Sequence, residues 1–183
     1  MEFPVSEEAT PFMDTFDLAL LILRLGVGLT FAAHGAQKIF GWWGGPGISG
    51  WRGAIANMGF RPVTLFTAIS ALAEFGGGLF LAAGLFTPLA GAVLVGQSVV
   101  IIGHIHWPNG FFNSKGGYEF PLVLAVGAVA LVLIEAGAWS IDAVIGFSLD
   151  ANLRIALVIA GIIGGLISLA VPRLSANRPA AQH

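Results

Sequence analysis

No cysteine occurs in the 183 residues. Disulfides, iron–sulfur clusters, thiolate zinc sites and redox thiol pairs are therefore excluded from this chain. Charge is scarce as well: Asp, Glu, Lys and Arg make up 10% of the sequence, against about 25% in a soluble domain. Neither sign dominates, with 8 Lys+Arg facing 10 Asp+Glu, so no basic surface is expected to hold nucleic acid. The stretch 1–16 holds Glu2, Glu7, Glu8 and Asp14 but no Lys or Arg. It lacks the basic n-region of a secretory signal, so the first apolar run is expected to be retained behind an acidic, solvated tail. A dinucleotide loop is absent too, because Gly26-Val27-Gly28 falls inside an apolar run rather than after a strand. What is abundant is apolar. Hydrophobic residues reach 56% and the mean hydropathy is +0.87. That excludes disorder and points to an all-α integral membrane protein.

A helix needs roughly 20 mostly apolar residues to cross a bilayer core. Five stretches qualify: Asp17 to Lys38, Val63 to Phe86, Pro88 to Trp107, Glu119 to Ala138 and Asn152 to Val171. The turn at Thr87-Pro88 is short enough to make the second and third an antiparallel pair. The first connection, Ile39 to Pro62, is the longest. It opens on Gly41, Gly44, Gly45, Pro46 and Gly47, a turn-rich run. Ile48, Trp51, Ile55 and Met58 then recur at helical spacing, so a short amphipathic helix is expected near 48–58, lying in the interface. Lys38, Arg52, Arg61, Lys115, Arg173 and Arg178 all fall on one side after five crossings, while Asp142 and Asp150 fall on the other with Arg154. By the positive-inside rule the N-terminus is expected outside and the C-terminus in the cytoplasm. Trp42, Trp43, Trp51 and Trp107 would then mark the inner interface and Trp139 the outer one.

Ionisable groups inside a span are costly and usually face a bundle interior. Counting 1.5 Å per residue puts Arg24 about 10 Å, and Glu74 and Gln97 about 14 Å, from the outer surface. An Arg24–Glu74 ion pair joined by Gln97 is expected there, with either a register-fixing or a proton-handling role. Glu135 and Arg154 fall near the outer ends of their spans and are expected to pair or snorkel. A second polar level lies at the inner ends: His34, Gln37, Lys38, His104, His106, Lys115, Tyr118 and Glu119. Several chemistries could use it. A quinone would take His34, His104, Lys38 and Glu119 as its polar surroundings and Phe31, Phe40, Trp107, Phe111 and Phe112 as aromatic walls. A b-type haem could use His34 with His104. His104 and His106, two residues apart, point to different sides of a regular helix, so they chelate a metal together only if the helix has ended there, and no metal residue is assigned.

These residues carry a family resemblance. The first span reads LRLGVGLTFAAHGAQKIFG from Leu23 to Gly41, followed by GGPGISGW, MGFRP and AEFGGGLFLAAGLFTPLAG from Ala73 to Gly91. Then come GHIHWPNGFFNSKGGYEFPLVLA from Gly103 to Ala125 and WSID from Trp139. This resembles the DoxX family of small bacterial membrane proteins, from about Leu20 to Gly146. The resemblance implies a four-helix membrane bundle over 17–146, with 147–183 adding a fifth span and a short tail. It implies Arg24, His34, Gln37, Lys38, Glu74, His104 and Glu119 as the characteristic polar residues. Relatives are linked to quinone reduction coupled to thiosulfate oxidation, or to assemblies with soluble thiol- and oxidative-stress enzymes. His106-Trp107-Pro108 is an addition that could alter a pocket entrance.

The expected function is a quinone-interacting subunit of a membrane oxidoreductase, fed with electrons by a donor or partner protein. His34 and His104 would bond the quinone carbonyls and pass protons with the help of Glu119. Lys38 would stabilise negative charge, and Gln37, His106 and Trp107 would complete the binding shell. Haem b is a lesser expectation, and no covalent cofactor is expected. One alternative is a noncatalytic accessory subunit of a respiratory or photosynthetic complex, or a homo-oligomer, meeting its partner through Gly161, Gly164 and Gly165. A small solute transporter is the weaker alternative, since no internal repeat is evident.

Overall fold

Helix boundaries follow the local chemistry of the chain. In the computed structural model, which describes residues 15–176, seven α-helices form: α1 (Thr15–Phe40), α2 (Gly47–Asn57), α3 (Val63–Ala83), α4 (Thr87–Ile101), α5 (Glu119–Ile134), α6 (Ile141–Ile145) and α7 (Ala151–Ala176). Among the described residues there is no strand. Gly84 closes α3 at φ 66, a left-handed turn that glycine adopts without a Cβ penalty. Pro88 sits in the first turn of α4, where its missing N–H leaves nothing unpaired. At its far end α4 runs into a π-helical turn at Ile102–His106, a widening often found at functional sites. Helix α2 falls where the 48–58 periodicity placed it. Its apolar side is tucked into the bundle, with Ile55 buried and Trp51 bonded to Ser70 of α3.

Helix α1 begins at Thr15, inside the stretch read as an acidic tail. The remainder of that stretch, with Glu2, Glu7, Glu8 and Asp14, lies outside the described residues, as do Arg178, His183 and the side chain of Arg173. Among the described residues, Thr15–Phe40, Val63–Ala83, Thr87–Asn109 and Ala151–Pro172 are each long and apolar enough to cross a membrane. The fourth expected span is shorter than the sequence indicated. Helix α5 stops at Ile134 rather than Ala138, because Glu135 and Gly137 take φ values of 84 and 79. Its 16 residues rise about 24 Å, less than a hydrocarbon core of about 30 Å. It nevertheless joins the two ends of the bundle. Glu119 at its start accepts from the Asn113 N–H beside the end of α4. Just past its finish, Ala138 donates to Asp17 in the first turn of α1.

Five helices therefore run from end to end, α1, α4 and α7 in one sense and α3 and α5 in the other. The core lies among α1, α3, α4 and α5, around Leu20, Val27, Phe31, Leu81, Leu94 and Leu131. Helix α7 packs chiefly on α4 and leaves Ile155, Ile159, Ile163 and Leu166 exposed, as lipid-facing residues are. Gly161 and Gly165, expected to meet a partner chain, instead meet α4: a Cβ at Gly165 would lie 2.6 Å from the Gly96 carbonyl and 2.7 Å from Val99. Gly164 faces open space.

The register of α1 against α3 overturns the expected Arg24–Glu74 pair. A Cβ at Gly28 would lie 2.6 Å from both the Gly78 carbonyl and the Ala82 nitrogen, so the backbones touch there. That contact sets Arg24 beside Gly84, past the end of α3, and leaves the start of α1 projecting beyond it. The projecting turns are covered by the 135–142 segment. Arg24, 0% exposed, donates to the Trp139 carbonyl. Asp142 accepts from the Phe86 and Thr87 N–H groups at 2.6 and 2.8 Å and so caps α4 from a distance. The expected Glu135–Arg154 pair is present at 3.3 Å.

Candidate functional site

Glu74 finds its partners on the other side of the expected layer. Its Oε1 forms an ion pair with Lys38, in the last turn of α1, and accepts from Gln97 Nε2 at 2.9 Å. The pair is withdrawn from solvent, with side-chain exposures of 12% for Lys38 and 1% for Glu74. The Lys38 ammonium also lies 4.3 Å from the centre of the Trp51 ring, a cation–π contact. Trp51 is fixed in turn by its N–H bond to Ser70 Oγ at 2.8 Å. Of the expected buried layer, the structure joins Glu74 and Gln97 and leaves Arg24 apart.

A cavity of about 310 Å³ opens beside this pair, at the end of the bundle where α1 and α4 finish. Lys38, Glu74, His34, His106 and Asn113 give it a polar side; Phe31, Trp51, Phe120, Ile101, Ile105 and Leu124 give it an apolar one. His34 is exposed and sits 5.9 Å, ring to ring, from Phe120. His106 has its Nδ1 2.7 Å from the Gly116 carbonyl. Since a carbonyl only accepts, Nδ1 carries the hydrogen. The loop 107–118 is held over this end by Trp107 stacked on Tyr118 at 5.2 Å and by the Glu119 carboxylate on the Asn113 N–H at 2.9 Å.

The remaining expected residues scatter. His104 lines a second, smaller cavity of about 110 Å³ with Gln97, Ser70, Phe60 and Met58, and its ring packs on Phe60 at 4.8 Å. His34 and His104, expected to act on one ligand, thus stand in different cavities, with Trp51, Ile101 and Ile105 shared as the wall between them. Sequence spacing anticipated this divergence for His104 and His106, which also line separate cavities. Gln37 lines a shallow groove on the outer side of α1 with Trp43 and Leu29. Glu119 does not line the larger cavity but positions Asn113, which does. Phe40, Trp107, Phe111 and Phe112, expected as aromatic walls, are exposed instead. Trp51, Asn113 and Phe120 were missed as site residues. For Trp51 a signal existed, since it lay on the apolar stripe of α2 and had to be covered by something. Among the described residues no three His, Asp or Glu side chains come together as a metal site would require.

An all-α bundle with several apolar end-to-end helices and a polar cavity near one end defines a multi-pass membrane protein. The DoxX family model matches residues 19–107, just under half of the chain, from the start of α1 through the end of α4. This segment is similar to the DoxX family and carries Arg24, His34, Gln37, Lys38, Glu74 and His104. Glu119 lies beyond it. Comparisons with curated proteins and with solved structures return no match.

Proposed function

We propose that the chain is the membrane subunit of an oxidoreductase system and that its 310 Å³ cavity receives the head group of a quinone, which takes up electrons from a donor or partner protein. The observation that carries this reading is the buried Lys38–Glu74 pair set in a wall of that cavity, between aromatic faces and two histidines. The volume is at the lower end of the roughly 300–1,000 Å³ of small-molecule sites. A flat ring finds walls in Phe31, Trp51 and Phe120, and its oxygens find polar groups in Lys38 and His34. When bound, the quinone supplies the redox chemistry. The Lys38 charge, kept in place by Glu74 and the Trp51 face, stabilises negative charge gathering on a ring oxygen. His34, exposed at the cavity mouth, exchanges protons with the aqueous interface.

Lys38, Arg52, Arg61 and Lys115 belong to the cavity end of the bundle, and Asp17, Asp142 and Asp150 to the other. The positive-inside rule then assigns the cavity to the cytoplasmic leaflet and the first turn of α1 to the outside. The test is purification in mild detergent followed by extraction and mass spectrometry of bound quinones. We expect retained quinone, reduced at least about tenfold by Lys38→Met or His34→Ala. A quinone-free wild-type protein locked to other membrane subunits overturns the reading in favour of an accessory subunit.

A further inference from the structure

Helix α7 leaves an opening in the side of the bundle. It packs on α4 and, less closely, on α5, and it stands off α3. Between α3 and α7 runs a cleft of about 440 Å³, floored by Ala92 and Gly96 of α4 and bounded by Ile69 and Ala73 on one side and Leu157 and Gly164 on the other. That volume falls within the range of small-molecule sites. Ile69, Leu89 and Val93 along it are exposed, so it opens sideways, where lipid lies against the spans. From Leu157 to Ser168 it follows α7 for about 16 Å. Past the Ser168 end, α7 meets the connection before α3, since a Cβ at Gly59 would lie 3.2 Å from the Pro172 Cβ. A ligand therefore comes to the cleft from the bilayer rather than from water.

The lining decides which lipid fits. Among the described residues, no Asp, Glu, Lys or Arg lines the cleft. Its polar side chains are Gln97 and Ser168, both toward the closed end, while Leu89 and Leu157 line the other. Gln97 lies ten residues into α4, about 15 Å along it and near the middle of a core about 30 Å thick. A phosphate held at that depth would have neither water nor a counter-charge, at a large cost in desolvation. A bare hydrocarbon chain, for its part, offers Gln97 and Ser168 no hydrogen-bond partner. We propose that the cleft binds a neutral single-chain lipid, its chain lying along α4 and its hydroxyl head beside Gln97 and Ser168. No residue lines both this cleft and the ring cavity, so the proposal does not depend on the quinone reading. One bank of the cleft is α7, which lies beyond the matched segment 19–107, so the site is one that this chain adds to that segment. It also accounts for the open space at Gly164, where a larger side chain would fill the cleft.

The test uses the full chain in phosphatidylcholine nanodiscs and two photoreactive probes, each a hexadecyl chain with a mid-chain diazirine. One probe ends in a hydroxyl and the other in a phosphate. Cross-links are mapped by peptide mass spectrometry, and labelling of the cleft residues is measured against that of Ile159 and Leu166, which face lipid elsewhere on α7. The hydroxyl probe should label the cleft about fivefold or more over the phosphate probe, the size expected of one neutral hydrogen bond. Unlabelled hexadecanol should compete this labelling away. Gly164→Leu places its side chain in open space, so the bundle stays intact while labelling of the cleft falls to the level of the phosphate probe. Val93→Phe, at another exposed position along the cleft, should do the same and serves if the first variant does not fold. Equal labelling by the two probes overturns the proposal and makes the cleft a surface for bulk lipid only. Labelling that hexadecanol does not compete, or that persists in the filled variants, overturns it as well.

Discussion

Removing Lys38 while keeping Glu74 should be among the most damaging single substitutions in the bundle, and removing both should do little harm. Glu74 is 1% exposed and lies eleven residues into α3, about 16 Å along the helix, too deep for its short side chain to reach an interface. In Lys38→Met it keeps the Gln97 bond but loses its counter-charge. Breaking a buried pair in this way costs about 3–5 kcal/mol. For a protein of this size that is a fall in Tm of about 6–20 °C. The reciprocal change is milder. Lys38, at 12% exposure in the last turn of α1, can swing its ammonium to the interface once Glu74→Leu has removed its partner. Its cost should be about 1–3 kcal/mol. The double variant Lys38→Met/Glu74→Leu should return to within about 1 kcal/mol of wild type, because two apolar side chains replace a pair that bore its own desolvation. Thermal unfolding of the four proteins in one mild detergent measures the cycle. A double variant whose loss equals the sum of the single losses would refute the argument, since it would mean that the two groups do not depend on one another.

Three further outcomes probe the frame. Gly28→Val should abolish the α1–α3 contact and lower Tm sharply, because its Cβ has 2.6 Å to the Gly78 carbonyl, whereas Gly26→Ala, with nothing within 4 Å, should be neutral or slightly stabilising; thermal unfolding of the two variants checks this. Asp142→Asn keeps one acceptor for the Phe86 and Thr87 N–H groups and loses the charge, so it should cost about 1.5–3 kcal/mol, read as a lower denaturation midpoint. Gly161→Leu should detach α7 from α4, raising protease sensitivity in the 146–151 connection, while Gly164→Leu, facing open space, should leave the pattern of cleavage unchanged.

Hydropathy marked the spans well because lipid imposes length and apolarity on any helix that crosses it, and the period of Ile48, Trp51, Ile55 and Met58 located α2. Relative depth was not legible. Counting residues inward from each apolar run assumes that every helix starts at a membrane surface, and α1 does not start at the level where α3 ends. The true register comes from a close approach of Gly28 to Gly78, and of Gly35 to Phe75, that a small-residue face could have suggested. The cavity was harder still. Its wall draws on α1, α2, α3, α4, α5 and the loop before α5, and no local pattern reports which side chains six segments bring together. His34 and His104 line different cavities, with Trp51, Ile101 and Ile105 common to both.

The two ends of the bundle handle their charges differently, and that contrast bears on where chemistry belongs. At the end formed by the start of α1, Asp17, Asp142 and Ser140 bond backbone N–H groups, and Arg24 bonds the Trp139 carbonyl. Each of these bonds ties down a turn where the chain reverses, so the polar groups there explain the fold. At the other end Lys38 and Glu74 tie down no turn and cap no helix. They meet side chain to side chain, inside a wall, next to space large enough for a ring. A register device would serve as well with the cavity packed by another leucine. The cavity beside the Lys38–Glu74 pair is why the proposed site is put at the end of α1 that carries Lys38 rather than at the one that carries Asp17.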